Sequence, residues 1–272
     1  MFLHINGLNY YVDIQGIGEP VVLLHGFTGN SSSWKEVIPY IEGAYQFISI
    51  DIIGHGKTES PIEVERYQIE SVRQDIITIL DILSINRANL IGYSMGGRLA
   101  LSLACTYPAR IKCLILESAS PGLSDVEERL SRVEADLRLA SLITDKGIVS
   151  FVNYWENISL FSSQKEMSLV KQQELHEQRL TNNQVGLSNS LKGMGTGVQP
   201  SYWNDLENLQ IPTLLICGEL DKKFCMIAEN MATLLNSAEI NQIKQAGHAI
   251  HVEQPRKFGK IVSVFLQEQM NL

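Results

Sequence analysis

Five short apolar runs recur along the chain: Val21-Val22-Leu23-Leu24, Phe47-Ile48-Ser49-Ile50, Asn89-Leu90-Ile91-Gly92, Cys113-Leu114-Ile115-Leu116 and Thr213-Leu214-Leu215-Ile216. A weaker sixth is Ile240-Asn241-Gln242-Ile243. Four residues are too few for a helix, and apolar residues without alternation suit a strand buried on both faces. Between the runs the period changes. Ile69, Val72, Ile76, Ile79, Leu80 and Leu83 follow helical spacing, and residues 95–106 and 223–235 also read as helices. Strands alternating with helices predict an α/β protein with a mostly parallel sheet and right-handed crossovers. Asn6-Gly7 adds a tight-turn signal inside residues 2–15, which read as a hairpin.

The alternation stops between about 121 and 205. That stretch is polar and helical, with no buried-strand run. It is expected to be a helical cap insert, residues 121–204, in a core made of 1–120 and 205–272. Such an insert would lie over the carboxyl ends of the strands, where α/β sheets bind ligands. The 272-residue length suits one large domain with an insert. A net charge of −8 argues against a broad nucleic-acid surface, which would be basic. No stretch approaches the roughly 20 apolar residues of a membrane span, and the N-terminus lacks a signal-peptide pattern. Cys105, Cys113, Cys217 and Cys225 form no C-x-x-C pair, so they read as free thiols of a cytoplasmic protein. No metal-spaced ligand set is visible, and no cofactor is expected.

Gly92-Tyr93-Ser94-Met95-Gly96 follows a buried-strand run and opens a helix, the setting in which G-x-S-x-G forms a sharp turn that projects its serine. A helix-capping serine in a tight turn is the alternative to a nucleophilic Ser94. His25-Gly26-Phe27 follows the run 21–24, so the backbone N–H groups of Phe27 and Met95 could face one spot and form an oxyanion hole. His25 itself reads as a hydrogen-bonded core histidine. Asp221 follows the strand run at 213–216, and His248 lies in the loop after the last run. The order Ser94, Asp221, His248 is that of a hydrolase triad, with His248 as base and Asp221 holding its tautomer. Asp221 could instead cap the helix at 223–235, His251 could be the base, and Glu117 is the alternative acid. Asp51 and His55 look like parts of a glycine-rich bend.

On these motifs the chain resembles the α/β-hydrolase superfamily over nearly its whole length. They are His25-Gly26-Phe27, Asp51-x-x-Gly54-His55-Gly56, Gly92-Tyr93-Ser94-Met95-Gly96-Gly97, Gly218-Glu219-x-Asp221 and Ala246-Gly247-His248. The resemblance implies the α/β-hydrolase fold, a mostly parallel sheet flanked by helices. It says little about the reaction, because the fold hosts many chemistries.

Arg98 stands one helical turn after Ser94, where a guanidinium could hold a carboxylate through paired hydrogen bonds or serve a structural ion pair. With Arg98 there, the chain resembles one subfamily, the 2-succinyl-6-hydroxy-2,4-cyclohexadiene-1-carboxylate synthases of menaquinone biosynthesis. The resemblance implies substrate contacts from Arg98, Arg132, Arg179, Trp155 and Tyr93. Arg129 or Arg138 could replace Arg132, and each cap arginine could equally sit in a solvated ion pair. It also implies a small polycarboxylate substrate, proton abstraction by Ser94 activated by His248, and elimination of pyruvate. A carboxylic-ester or carbon–carbon bond hydrolase on the same three residues is the competing expectation. A non-catalytic receptor is a third.

Overall fold

In the computed structural model, which describes residues 1–270, all six apolar runs fall inside strands of one eight-stranded sheet. The strands are β1 (Phe2–Ile5), β2 (Leu8–Gly16), β3 (Glu19–Leu24), β4 (Tyr45–Ile50), β5 (Ala88–Tyr93), β6 (Ile111–Glu117), β7 (Thr213–Gly218) and β8 (Ala238–Ile243). Their order across the sheet is β1-β2-β4-β3-β5-β6-β7-β8. From β4 to β8 all neighbours are parallel. The β1–β2 hairpin turns at Asn6 and Gly7, both at positive φ, and β2 joins β4 antiparallel.

The continuous runs have a direct cause in the packing. Val21, Leu23, Ile91, Ile115 and Ile216 pack on one face of the sheet with Trp34, Phe258 and Val262. Val22, Leu24, Leu90, Leu114 and Leu215 pack on the other with Val72, Leu99 and Ala228. Strands covered on both faces have no polar face to alternate with. The covering helices are α1 (Ile69–Ile82), α2 (Met95–Thr106), α6 (Lys222–Leu234) and α8 (Pro255–Met270). A single turn, α7 (Ile250–Glu253), precedes α8.

Between β6 and β7 the chain forms α3 (Val126–Trp155), a 3-10 segment (Ser159–Glu166), α4 (Leu169–Leu180) and α5 (Gln184–Met194). Asp125 caps α3 by accepting from the Glu128 N–H at 2.9 Å. Gly147, at φ 81° and ψ 168°, breaks α3 into two helical stretches. These helices bury an apolar cluster of their own, with Ala140, Ile143, Phe151, Val152, Leu187 and Leu191, and Phe27 packs against it.

Strand β3 lies between β4 and β5, so successive connections leave it in opposite directions. The crevice outside the carboxyl ends of β3 and β5 is therefore the topological switch point of the sheet. His25-Gly26-Phe27 leaves β3 there, and Ser94 leaves β5 there.

Candidate active site

Ser94 occupies φ 49° and ψ −106°, a conformation that L-residues avoid. Its surroundings enforce it. A Cβ on Gly92 would stand 2.5 Å from the Gly96 carbonyl oxygen, and one on Gly96 would stand 2.1 Å from the Leu24 carbonyl oxygen. Without those side chains, α2 starts immediately against the ends of β3 and β5. Ser94 is thus delivered to the crevice at the N-terminus of a helix, where partial positive charge favours an anion.

His248 Nε2 lies 3.0 Å from Ser94 Oγ, and His248 Nδ1 lies 2.6 Å from Asp221 Oδ2. Asp221 and His248 are both buried. The other Asp221 oxygen accepts from the Phe224 N–H at 3.3 Å, so Asp221 caps α6 and holds His248 at once. Tyr93 and Phe224 wall the imidazole at ring-centroid distances of 5.4 and 4.6 Å. Among the described residues, neither the Phe27 nor the Met95 backbone N–H donates to a protein acceptor. Phe27 and Met95 line the same cavity as Ser94, so two N–H groups without a protein acceptor border it, the kind of donor an oxyanion site uses.

The other acid and histidines form separate arrangements. Glu117 accepts from the His251 backbone N–H at 2.9 Å, and His251 Nδ1 lies 2.9 Å from the same oxygen. The His251 ring lies 4.6 Å from that of Tyr93, and it is His248, not His251, that meets Ser94 Oγ. His25 Nε2 accepts from the Ile52 N–H at 2.9 Å and its Nδ1 donates to the Gly26 carbonyl at 2.8 Å, which fixes a neutral tautomer. Burial pushes His25 down to about 4 and His55 down to about 3. Asp51 accepts from the Ser31 and Lys57 N–H groups, which makes it a bend former.

A cavity of about 970 Å³ opens beside Ser94 and His248. Phe27, Tyr93, Met95 and Trp155 lie on its wall, and so do Arg98 and Arg132. Arg98 donates to the Met194 carbonyl at 2.8 Å and to Gln199 Oε1. Burial first, and then the neighbouring Arg132, lower its pKa to about 10, so it stays charged at neutral pH. Arg132 donates to Asp136 Oδ1 at 2.9 Å, and burial raises the Asp136 carboxyl.

Three arginines differ from or refine the sequence expectation. Arg179 is not on the cavity wall. Its guanidinium is taken up by Glu156 at 3.1 Å and Gln164 at 2.9 Å, and it lies over the Phe161 ring. It supports the wall from behind Phe161. Arg129 donates to the Gly197 and Gln199 carbonyls, and Arg138 is exposed beside Glu134. Of the α3 arginines weighed as substrate contacts, Arg132 is the one on the wall.

Sequence reasoning passed over Lys223, Phe224, Phe161 and Gln199. Lys223 lies on the wall in the first turn of α6, two residues after Asp221, and has no ion-pair partner among the described residues. Its nearness to Asp221 was a usable signal. Gln199 carried none, because only the return of the chain after α5 brings it to Arg98. Among the described residues no group of three His, Cys, Asp or Glu side chains is arranged to hold a metal ion.

A family described as the alpha/beta hydrolase fold matches residues 19–255. The chain is 47% identical over 263 residues to a Bacillus subtilis protein provisionally named 2-succinyl-6-hydroxy-2,4-cyclohexadiene-1-carboxylate synthase, covering 96% of each chain. It is 30% identical to the synthase of that name from an Escherichia coli strain, over 86% of this chain and 88% of the relative. Among solved structures, MenH from S. aureus superposes with a TM-score of 0.91 at 34% identity, covering 95% of this chain and 98% of that one. An esterase from Exiguobacterium antarcticum, at 22% identity and a TM-score of 0.82, shares the fold alone.

Proposed function

The chain belongs to the α/β-hydrolase family and, within it, to the 2-succinyl-6-hydroxy-2,4-cyclohexadiene-1-carboxylate synthases, and we propose that it is a carbon–oxygen lyase of menaquinone biosynthesis. Its substrate is 2-succinyl-5-enolpyruvyl-6-hydroxy-3-cyclohexene-1-carboxylate, and its products are pyruvate and the 2,4-cyclohexadiene. The two names define the electron flow. The C2 proton is acidic because it is alpha to the succinyl ketone. Its removal sends the C–H pair into a C2–C3 double bond. The C3–C4 pair moves to C4–C5, and the C5–O bond breaks to expel the enolate of pyruvate. That enolate takes up a proton.

Ser94 Oγ is the base that meets C2, with its own proton passed to His248 Nε2 across the 3.0 Å contact. Asp221 keeps Nδ1 protonated and stabilises the imidazolium that forms. The Phe27 and Met95 N–H groups receive the negative charge that develops on the ketone oxygen. Arg98 and Arg132 bind substrate carboxylates, and Tyr93 and Trp155 border the ring. No step needs a metal or an organic cofactor. The proposal places the enzyme in the cytoplasm, a reading supported by four cysteines that are all free.

The observation that carries the reading is the sharing of one cavity by Ser94, His248, Arg98 and Arg132. An esterase could use the same serine, but a neutral ester brings no carboxylate to the two guanidiniums on the cavity wall. Intact-protein mass spectrometry during turnover separates the two chemistries. The lyase reading predicts pyruvate in step with the diene and no acyl adduct on Ser94. An accumulating acyl-Ser94 without pyruvate would establish the hydrolase instead.

A further inference from the structure

The histidine that faces Ser94 sits in a loop, and a loop does not by itself hold an imidazole to a fraction of an ångström. One carboxylate gathers the peptide N–H groups on both sides of it. Glu253 Oε2 accepts from the Gly247 N–H at 2.7 Å, and Glu253 Oε1 accepts from the Ala249 N–H at 3.4 Å. Burial raises the Glu253 carboxyl, and these hydrogen bonds oppose that rise. A third donor comes from far along the chain. Ser163, in the 3-10 segment between α3 and α4, donates from Oγ to Glu253 Oε1 at 3.0 Å. The contact is close, because a Cβ added to Gly247 would stand 2.0 Å from Ser163 Oγ. The same segment places Phe161 on the cavity wall, with its ring 6.1 Å from that of His248.

We propose that Glu253 is the positioning residue of His248, and that Ser163 makes the position of His248 depend on the seating of the segment 159–166 over the site. The segment that shapes the cavity and the loop that carries the base are then tied through one carboxylate. Substrate that packs against Phe161 steadies the Ser94–His248 contact through Ser163 and Glu253, without touching either. The tie is positional, because Glu253 is occupied by peptide and hydroxyl donors. Loss of Ser163 removes one hydroxyl-to-carboxylate hydrogen bond and leaves the fold's other contacts in place. Loss of the Glu253 charge weakens all three bonds.

This inference rests on the Ser94–His248 reading, so the experiment uses a readout that does not need the natural reaction. The readouts are the rate at which a fluorophosphonate modifies Ser94, and kcat and KM for pyruvate release. Ser163→Ala is expected to lower kcat and the labelling rate severalfold with KM nearly unchanged, and Glu253→Gln to lower both by about tenfold or more. The double variant is expected to match Glu253→Gln alone, because the serine acts only through the carboxylate. Ser163→Thr, which keeps the hydroxyl, is expected to recover the labelling rate. Unchanged labelling in Ser163→Ala and Glu253→Gln would overturn the proposal, as would additive losses in the double variant. Wild-type protein that is labelled but releases no pyruvate would contradict the lyase reading, and the labelling comparison would still decide this one.

Discussion

Ser94 sits in a strained conformation with its hydroxyl on His248 and its helix starting one residue later. Strain of this kind persists only where the surroundings over-determine it, and here the glycines at 92 and 96 do so. Ser94→Ala should lower the rate of pyruvate release by about a thousandfold or more while leaving the thermal midpoint within a few degrees, as read by enzyme assay and calorimetry. Arg98 offers a second test at this scale. Arg98→Ala should lower kcat/KM on the anionic substrate by about 10- to 100-fold, with little change on a neutral aryl ester. Equal losses on both substrates would instead assign Arg98 to holding the first turn of α2 in place through Met194 and Gln199. Residues near Ser94 were legible because Gly92-Tyr93-Ser94-Met95-Gly96 carries Tyr93, Ser94 and Met95 together and Arg98 follows one helical turn after the serine. Arg179 was not, because its partners Glu156 and Gln164 are set by helix packing rather than by spacing. The same reason hid Ser163, whose partner lies 90 residues away.

At the level of elements, Asp221 joins two functions in one side chain. One oxygen caps α6 and the other holds His248. Asp221→Asn should keep the cap, since Asn and Asp cap about equally well, but should cut turnover by roughly a thousandfold because the imidazolium loses its counter-charge. Circular dichroism melting beside the pyruvate assay separates the two effects. The α2–β3 contact is equally sharp. Gly96→Ala would drive a methyl group into the Leu24 carbonyl, so α2 must shift, at a cost of about 1–3 kcal/mol in denaturant unfolding. The strands were legible for a physical reason. Being covered on both faces, they read as unbroken apolar runs. Strand β8 was fainter because most of its residues are only partly buried or exposed. The helices between β6 and β7 were legible as helical, but the break in α3 at Gly147 was not. Nothing lies within 4 Å of a Cβ placed there, so no packing pattern marks the position.

For the whole molecule, the charge of −8 and the arginines of the cavity describe different things. A global count averages over a surface, whereas Arg98 and Arg132 act within one cavity. The fold also carries an acid sensitivity. His25 and His55 are buried and held near 4 and 3, below the ordinary histidine value of about 6.5. The unfolded chain therefore binds protons that the folded chain refuses. Their contribution is complete above about pH 6.5 and is lost as the pH falls toward 4 for His25 and toward 3 for His55, by roughly 3–5 kcal/mol each. Unfolding free energy measured by denaturant titration should decline across that window, and His55→Gln should flatten the decline. A slope unchanged by that substitution would show that other groups govern acid unfolding.

If Ser94, through His248, removes the C2 proton and so expels pyruvate, single-turnover pyruvate release with enzyme in excess must slow when the substrate carries deuterium at C2. Wild-type protein should release pyruvate more slowly from the deuterated substrate than from the ordinary one, and Ser94→Ala should release it at least about a thousandfold more slowly than wild type. Equal rates for the two substrates, or release from Ser94→Ala near the wild-type rate, would show that Ser94 does not remove this proton.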